Sequence, residues 1–174
     1  MIPGALLLEV LRLKELPRAG WLRVGIVAPE SVAGHSWGLT WLVLALCPEG
    51  LNTERALSLA VVHDLPELLA GDITPHDNIS AAEKHRREAA AADQLFVSSP
   101  RLRALWQEYA DHTTPESRFV HQLDKLDMAL QAMRYRQRDG AKTDEFICSA
   151  MPKLSPAQQT LLRSLLATGL ADSE

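Results

Sequence analysis

The sequence of 174 residues predicts an all-α fold, arranged as a single compact multi-helix domain over residues 1–174. Three observations favour this class. Capping residues and prolines recur at helix-length intervals, apolar residues follow helical spacing, and no segment alternates as a strand does. Apolar residues make up 47% and charged residues 23%, which is close to globular averages and excludes a disordered chain. We expect six or seven helices around one core.

The first half of the chain contains three predicted helices. Pro3 begins an amphipathic helix, and a loop separates it from a long helix that Ser31 caps. Asn52 or Thr53 caps the third helix, which is apolar nearly all round and ends at Gly71. A helix of that composition is expected to be central and buried.

Four more helices are predicted in the second half. Ser80 begins a capping-box pattern, and Ser99 and Thr114 each precede a proline at the first helical position. The last helix covers about residues 155–169 and ends at Gly169.

Charge and cysteine content exclude several classes of function. The 18 basic and 22 acidic side chains give a net charge of −4, so the chain lacks the basic footprint of a nucleic-acid binder. Cys47 and Cys148 form no CxxC pattern, which disfavours a thiolate metal site and fits a reducing compartment. The apolar start of the chain has no basic n-region, and no uncharged run is long enough to span a bilayer. We therefore expect a cytoplasmic protein with no membrane partner.

The strongest local motif is His63-Asp64 near the end of the third predicted helix. At about 100° per residue, His63, Asp64 and Glu67 fall within one arc of that helix. Small residues, Ala56 and Ala60, lie on the same side and leave room for an ion and a ligand. An imidazole beside a carboxylate suits a divalent cation, and a buried carboxylate needs such a partner.

Two further positions offer ligands for the same cation. His35 lies on the apolar face of the helix that Ser31 caps, where it can meet His63. A carboxylate of the segment 122–127 could complete a four-ligand shell. Periodicity alone favours Asp127 over Asp124, yet apolar neighbours flank Asp124, so helical geometry leaves this pair open.

The order His, His-Asp, Asp resembles that of the HD superfamily of metal-dependent phosphohydrolases. The resemblance covers most of the chain and is carried by five segments: PES at 29–31 ahead of His35, LAVVHDLPE at 59–67, GDITP at 71–75, EKHRRE at 83–88 and FVHQLD at 119–124. This set is most similar to the branch that contains bacterial 5′-deoxynucleotidases and the eukaryotic HD domain-containing protein 2. The resemblance implies a metal site built from about residues 31–127.

The resemblance implies a role for each site residue. It assigns the metal to His35, His63, Asp64 and Asp124, and so favours Asp124 where periodicity favours Asp127. It gives catalytic roles to Glu67, beside the attacking water, and to Asp72, which also faces the substrate. It places Arg18 and Trp21 against the substrate, although two residues separate them here and bacterial members have them adjacent. In some relatives a second cation is held by Glu67, Asp72 and the carbonyl of Ile73.

The expected activity is removal of the 5′-phosphate from (deoxy)nucleoside monophosphates by a 5′-nucleotidase. Co²⁺, Mn²⁺ or Mg²⁺ is the expected cofactor, with Zn²⁺ also compatible with these ligands. The expected partner is a small-molecule nucleoside monophosphate, with no nucleic acid, and the relatives imply a homodimer. Two alternatives stay open: a hydrolase of a cyclic nucleotide, triphosphate or polyphosphate, and a non-catalytic metal-binding interaction module.

Overall fold

The computed structural model describes residues 3–168, and this part of the chain is helical with no strand. Its elements, in order, are α1 (Gly4–Val10), a 3-10 helix (Leu11–Lys14), α2 (Ala19–Arg23), α3 (Val32–Leu46), α4 (Thr53–Val62), α5 (Glu67–Ala70), α6 (Ala81–Leu95), α7 (Pro100–Ala110), α8 (Pro115–Asp139), α9 (Asp144–Ala150), a second 3-10 helix (Met151–Lys153) and α10 (Pro156–Thr168). The all-α prediction is confirmed. The predicted end of the last helix at Gly169 lies outside the described residues.

Across residues 3–168, no helix combines the length and the apolar character that a bilayer-spanning segment needs.

The described residues form ten α-helices, more than the six or seven predicted. Of the additional helices, α2 lies in a segment predicted to be a loop, and α9 lies in a segment for which no helix was predicted. The third arises because the prediction of one helix from about residue 53 to 70 is wrong. Pro66 has no N–H to donate to the carbonyl of Val62, so α4 ends there and turns lead into α5. This interruption falls at His63 and Asp64.

Side-chain caps begin most of the longer helices where the sequence predicts them. Each of the following residues accepts a hydrogen bond from the backbone N–H three positions later: Ser31, Asn52, Ser80, Thr114 and Ser155. Ser99 is the exception, since its side chain makes no capping hydrogen bond and Pro100 alone marks the start of α7.

The long helix α8 is the centre of the core. It packs against α3, α4, α7, α9 and α10, and α3 also packs against α4. Its buried stripe is formed by Val120, Leu123, Leu126, Ala129, Ala132, Met133 and Tyr135. The three helices that carry the predicted metal ligands therefore touch one another in pairs.

The N-terminal segment reaches the same region through an isolated antiparallel bridge between Pro17 and Ser31. The N–H of Val32 donates to the carbonyl of Leu16, and the N–H of Arg18 donates to the carbonyl of Glu30. These hydrogen bonds hold Arg18 beside the start of α3, which is the helix of His35.

We expect Leu123→Ala to lower the free energy of unfolding by about 2–5 kcal/mol, because it leaves a cavity at a fully buried position of α8. Urea denaturation measures the change. Leu8→Ala is the matched control, since Leu8 is 71% exposed and its truncation should cost less than about 0.5 kcal/mol. Equal losses in the two variants would contradict the central place of α8.

Candidate active site

Four predicted metal ligands converge on one point between α3, α4 and α8. His35 Nε2 lies 3.4 Å from His63 Nε2 and 3.2 Å from Asp124 Oδ1. Asp64 Oδ2 lies 3.0 Å from His63 Nε2 and 3.7 Å from His35 Nε2. All four side chains are buried or nearly so, which puts two imidazoles and two carboxylates around a space of ionic size.

The interruption after α4 positions His63 and Asp64. Because the helix stops at Val62, both side chains leave the last turn toward α3 and α8. His63 Nδ1 donates to the carbonyl of Ala60 at 2.8 Å, so its Nε2 carries the free lone pair and faces the other ligands. Ala56 and Ala60 are fully buried behind the pair, where the sequence predicted small residues to leave room.

Helical geometry left open which of two carboxylates of α8, Asp124 or Asp127, is the metal ligand. The structure places the two side chains in different positions. Asp124 points into the cluster, as the resemblance implied. Asp127 Oδ2 instead lies 2.7 Å from His35 Nδ1, on the far side of that imidazole. Periodicity therefore favoured a residue that contacts a predicted ligand, because a helical wheel does not include the crossing of α3 over α8.

Asp124 is held by two donors besides His35. Its Oδ2 accepts from Lys125 Nζ at 2.8 Å and from the Tyr109 hydroxyl at 3.2 Å. Burial raises the pKa of Asp124, but Lys125 and His35 outweigh burial and hold the pKa well below its ordinary value. The carboxylate is therefore ionised with Oδ1 left facing the cluster.

Glu67 begins α5 and lies over the cluster. It is 4% exposed, and its Oε2 is buried without a hydrogen-bond partner. Burial, together with the charges of Asp64 and Asp72, raises the pKa of Glu67 well above its ordinary value. An unpartnered buried carboxyl is costly, so this group fits a proton-transfer role at the cluster better than a structural one.

Arg18 and Asp72 form the rim of the cluster on the side of the N-terminal segment. Arg18 Nη1 lies 3.3 Å from Asp64 Oδ2 and 4.0 Å from Asp72 Oδ1. Asp72 Oδ2 accepts from the N–H of Ala19 at 2.7 Å. Both side chains line the cavity, so an anion entering it meets a guanidinium that two carboxylates already orient.

One of the three groups expected to hold a second cation, the carbonyl of Ile73, already has a hydrogen-bond partner. The carbonyl of Ile73 accepts a hydrogen bond from Lys84 Nζ at 2.9 Å, and Lys84 also pairs with Glu88 at 3.5 Å. A lysine ammonium therefore supplies positive charge where the resemblance placed a second ion. Glu67 and Asp72 still line the cavity, and the second cation stays a prediction.

Trp21 is built into the core of the fold. It is 2% exposed, and its indole N–H donates to Glu30 Oε1 at 2.9 Å. Its ring packs against Tyr135 and Phe146 at centroid distances of 5.1 and 4.3 Å. Trp21 thus forms part of the cavity wall, and its partners account for its position without a stacked base.

A cavity of about 440 Å³ opens over the cluster. His63, Asp64 and Asp124 lie on its floor, and the walls combine aromatic and apolar side chains with cations. Its apolar lining includes Trp106, Met128 and Phe146, and its cations include Lys84, Lys125 and Lys153. The volume falls within the range of about 300–1,000 Å³ that is typical of small-molecule sites.

The donor set fits a divalent cation. Two imidazoles with two carboxylates suit borderline and hard divalent ions. The donor atoms of His35, His63 and Asp64 all lie within 4.8 Å of one another, and Asp124 Oδ1 lies 3.2 Å from His35 Nε2. Among the described residues, the contacts of His35 Nε2 are with Asp64, Asp124 and His63. The observed geometry therefore supports metal binding at this position.

Residues 10–161 match the model of the HD domain family. The chain belongs to the HD domain family. It is also similar to the 5′-deoxynucleotidase HDDC2 of Danio rerio, with 40% identity over 88% of this chain and 81% of that protein. The PH0347 protein of Pyrococcus horikoshii has a similar structure, with a TM-score of 0.80, 32% identity, and coverage of 97% of this chain and 99% of that one.

A third relative is titled a predicted metal-dependent phosphohydrolase, from Magnetospirillum magnetotacticum. Its structure matches with a TM-score of 0.74 and 25% identity, over 98% of this chain and 96% of that one. The similarity between this chain and these relatives therefore extends along the whole HD domain and is not confined to the metal motif.

Sequence reasoning missed the residues that support the ligands. Tyr109, Lys84 and Lys125 each contact a site group, yet a lysine or tyrosine on an amphipathic helix carries no signal of its own. For Lys125, its position directly after the predicted ligand Asp124 was the one indication in the sequence that it lies near the site. Finding Tyr109 and Lys84 requires knowing which helices meet.

We expect the metal-free protein to become less stable as the pH rises from about 6.5 to about 10. Burial and Arg18 lower the pKa of His35, but Asp124 and Asp127 outweigh them and raise it from 6.5 to about 10. A raised pKa stabilises the fold below the unfolded value, and that stability is lost as the pH passes the folded value.

Urea denaturation of chelator-treated protein across this pH range measures the effect. His35→Gln is the comparison, because it removes this titration and should flatten the profile. A wild-type profile that rises with pH, or one equal to that of His35→Gln, would contradict the assignment.

Proposed function

We propose that this HD domain protein is a metal-dependent phosphohydrolase that removes the 5′-phosphate from deoxyribonucleoside 5′-monophosphates. The observation that carries the proposal is the convergence of two imidazoles and two carboxylates on the floor of a cavity, with an unpartnered Glu67 above them. Relatives at about 40% identity over most of the chain are named 5′-deoxynucleotidases. The intact Glu67 argues for a catalytic site rather than a structural metal site.

We assign the cation to His35, His63, Asp64 and Asp124. Co²⁺, Mn²⁺, Mg²⁺ and Zn²⁺ all suit this mixture of nitrogen and oxygen donors, and affinity order alone does not select among them. When bound, the cation polarises a phosphoryl oxygen and lowers the pKa of a water.

Glu67 handles the proton of the reaction. In its deprotonated form Glu67, whose Oε2 is buried without a partner, can take a proton from the attacking water, and its raised pKa makes that carboxylate a stronger base. The water oxygen forms a bond to phosphorus as the bond from phosphorus to the 5′-oxygen breaks. Glu67 then returns the proton to that 5′-oxygen, and the products are a nucleoside and inorganic phosphate.

Arg18 and Asp72 orient the substrate. The Arg18 guanidinium presents a planar pair of donors to phosphate oxygens, and Asp72 fixes it from the side while facing the sugar. The nucleoside lies against the apolar wall that includes Phe146 and Met128. Trp21 forms part of this wall and packs against Phe146, so we propose that it shapes the cavity.

Several finer expectations stay predictions. They are the single domain over residues 1–174, the homodimer, the absence of a nucleic-acid partner and the cytoplasmic location.

We expect metal-free protein to release no phosphate, and a single added divalent cation to restore release from deoxyribonucleoside 5′-monophosphates. The assay measures inorganic phosphate after adding Co²⁺, Mn²⁺, Mg²⁺ or Zn²⁺ separately. The substrate panel includes ribonucleoside 5′-monophosphates, 3′-monophosphates, cyclic nucleotides and triphosphates. Asp64→Asn should abolish the activity because it removes a ligand charge, and Asp93→Asn is the matched exposed control.

Activity confined to cyclic nucleotides or triphosphates would refute the 5′-nucleotidase proposal, and full activity of Asp64→Asn would refute the ligand assignment.

We expect Glu67→Gln to lower kcat by about 10²–10⁴-fold while leaving cation affinity and KM nearly unchanged. The amide keeps the shape of the side chain but cannot accept the proton. Steady-state kinetics and calorimetric titration with Mn²⁺ separate the two effects, and Glu54→Gln on the exposed start of α4 is the control. A variant that keeps its kcat would exclude Glu67 as the proton acceptor.

A further inference from the structure

Asp127 lies directly behind the metal cluster without entering it. Its Oδ2 is 2.7 Å from His35 Nδ1, while His35 Nε2 faces His63 and Asp124. Among the described residues, those that line the cavity include Asp124 but not Asp127. The imidazole of His35 therefore spans from a carboxylate on one side to the cluster on the other.

The chemistry of a histidine ligand explains why a carboxylate stands there. An imidazole that binds a cation through Nε2 must keep its proton on Nδ1, and an acceptor at Nδ1 selects that tautomer and fixes the ring. Glu30 is a second carboxylate near His35, but it accepts a hydrogen bond from the Trp21 indole. The carboxylate bonded to His35 Nδ1 is that of Asp127.

Gly38 allows Asp127 to approach α3 this closely. A Cβ at Gly38 would lie 2.4 Å from Asp127 Oδ1 and 3.2 Å from its Cγ. Gly38 lies in the middle of α3, where glycine costs about 1 kcal/mol relative to alanine. Its φ is not positive, so the backbone gives no reason for glycine at this position. Space for the Asp127 carboxylate is the remaining reason.

We infer that Asp127 is a positioning residue for the metal site. It holds the proton of His35 on Nδ1 and aims Nε2 at the cation, and Gly38 provides the space in α3 that this contact requires. The inference rests on the proposed function for the ligand role of His35. Asp127 and Gly38 thus form a second layer around the site and contact neither cation nor substrate.

Calorimetric titration with Mn²⁺ tests the role of Asp127 without turnover. We expect Asp127→Ala to weaken Mn²⁺ binding by about 10–100-fold. Asp127→Asn should lose less, because its amide oxygen can still accept from Nδ1. Saturating Mn²⁺ should restore kcat in Asp127→Ala, which a lost catalytic group such as Glu67 would not allow, and KM should stay unchanged.

A double-mutant cycle tests the role of Gly38. We expect Gly38→Ala to weaken Mn²⁺ binding in the wild-type background and to add no further loss in the Asp127→Ala background. Gly34→Ala is the matched control on the same helix. A Cβ there would meet its nearest atoms at 3.6 Å, which is ordinary contact, so binding should not change.

Unchanged Mn²⁺ affinity in Asp127→Ala would overturn the inference, and so would losses from Gly38→Ala and Asp127→Ala that simply add. A wild-type protein that binds no Mn²⁺ would overturn it as well. If the wild type binds Mn²⁺ but hydrolyses no nucleotide, the proposed function fails, while the ranking of the variants in affinity still decides the role of Asp127.

Discussion

Repulsion among buried carboxylates is the constraint on which the rest of this structure depends. Four of them share one cavity: Asp64, Glu67, Asp72 and Asp124. Negative charges this close are stable only with compensating cations, since burying an unpaired carboxylate costs several kcal/mol. Arg18, Lys84 and Lys125 each reach into the cavity from a different part of the chain. The proposed divalent cation would complete the balance, and no cation of residues 3–168 pairs with Glu67, whose pKa is raised by burial and by the charges of Asp64 and Asp72.

Helix ends and helix crossings, rather than the regular parts of the helices, place the side chains of this cluster. The turn that Pro66 imposes after α4 lets His63 and Asp64 leave one helix end together. Close packing of α3 on α8 then requires small residues near the site, and Gly38 allows the Asp127 carboxylate to approach α3. His35 and Asp124 lie on packed helices, and His63 and Asp64 lie in the turn that directly follows α4, so the helix packing fixes their relative positions.

The limits of sequence reasoning are clearest at particular residues. The pair Asp124 and Asp127 could not be separated by periodicity, since a wheel records only the angle of a side chain about its own axis. Trp21 was expected against the substrate, whereas contacts with Glu30, Tyr135 and Phe146 hold it in the core. Lys84 was part of a charged run with no distinguishing feature, and its bond to Ile73 depends on where α6 packs.

The sequence by itself determined the all-α class, the starts of the main helices, and the set of residues that can bind a cation. Those signals act within about four residues, through caps, prolines and helical spacing, so they can be read along the chain. The tertiary structure alone decided that Asp124 enters the cluster and that Asp127 contacts the far side of the His35 imidazole. The contacts of His35 join it to residues 28 to 92 positions away, and their geometry is set by how helices cross, which no local pattern encodes.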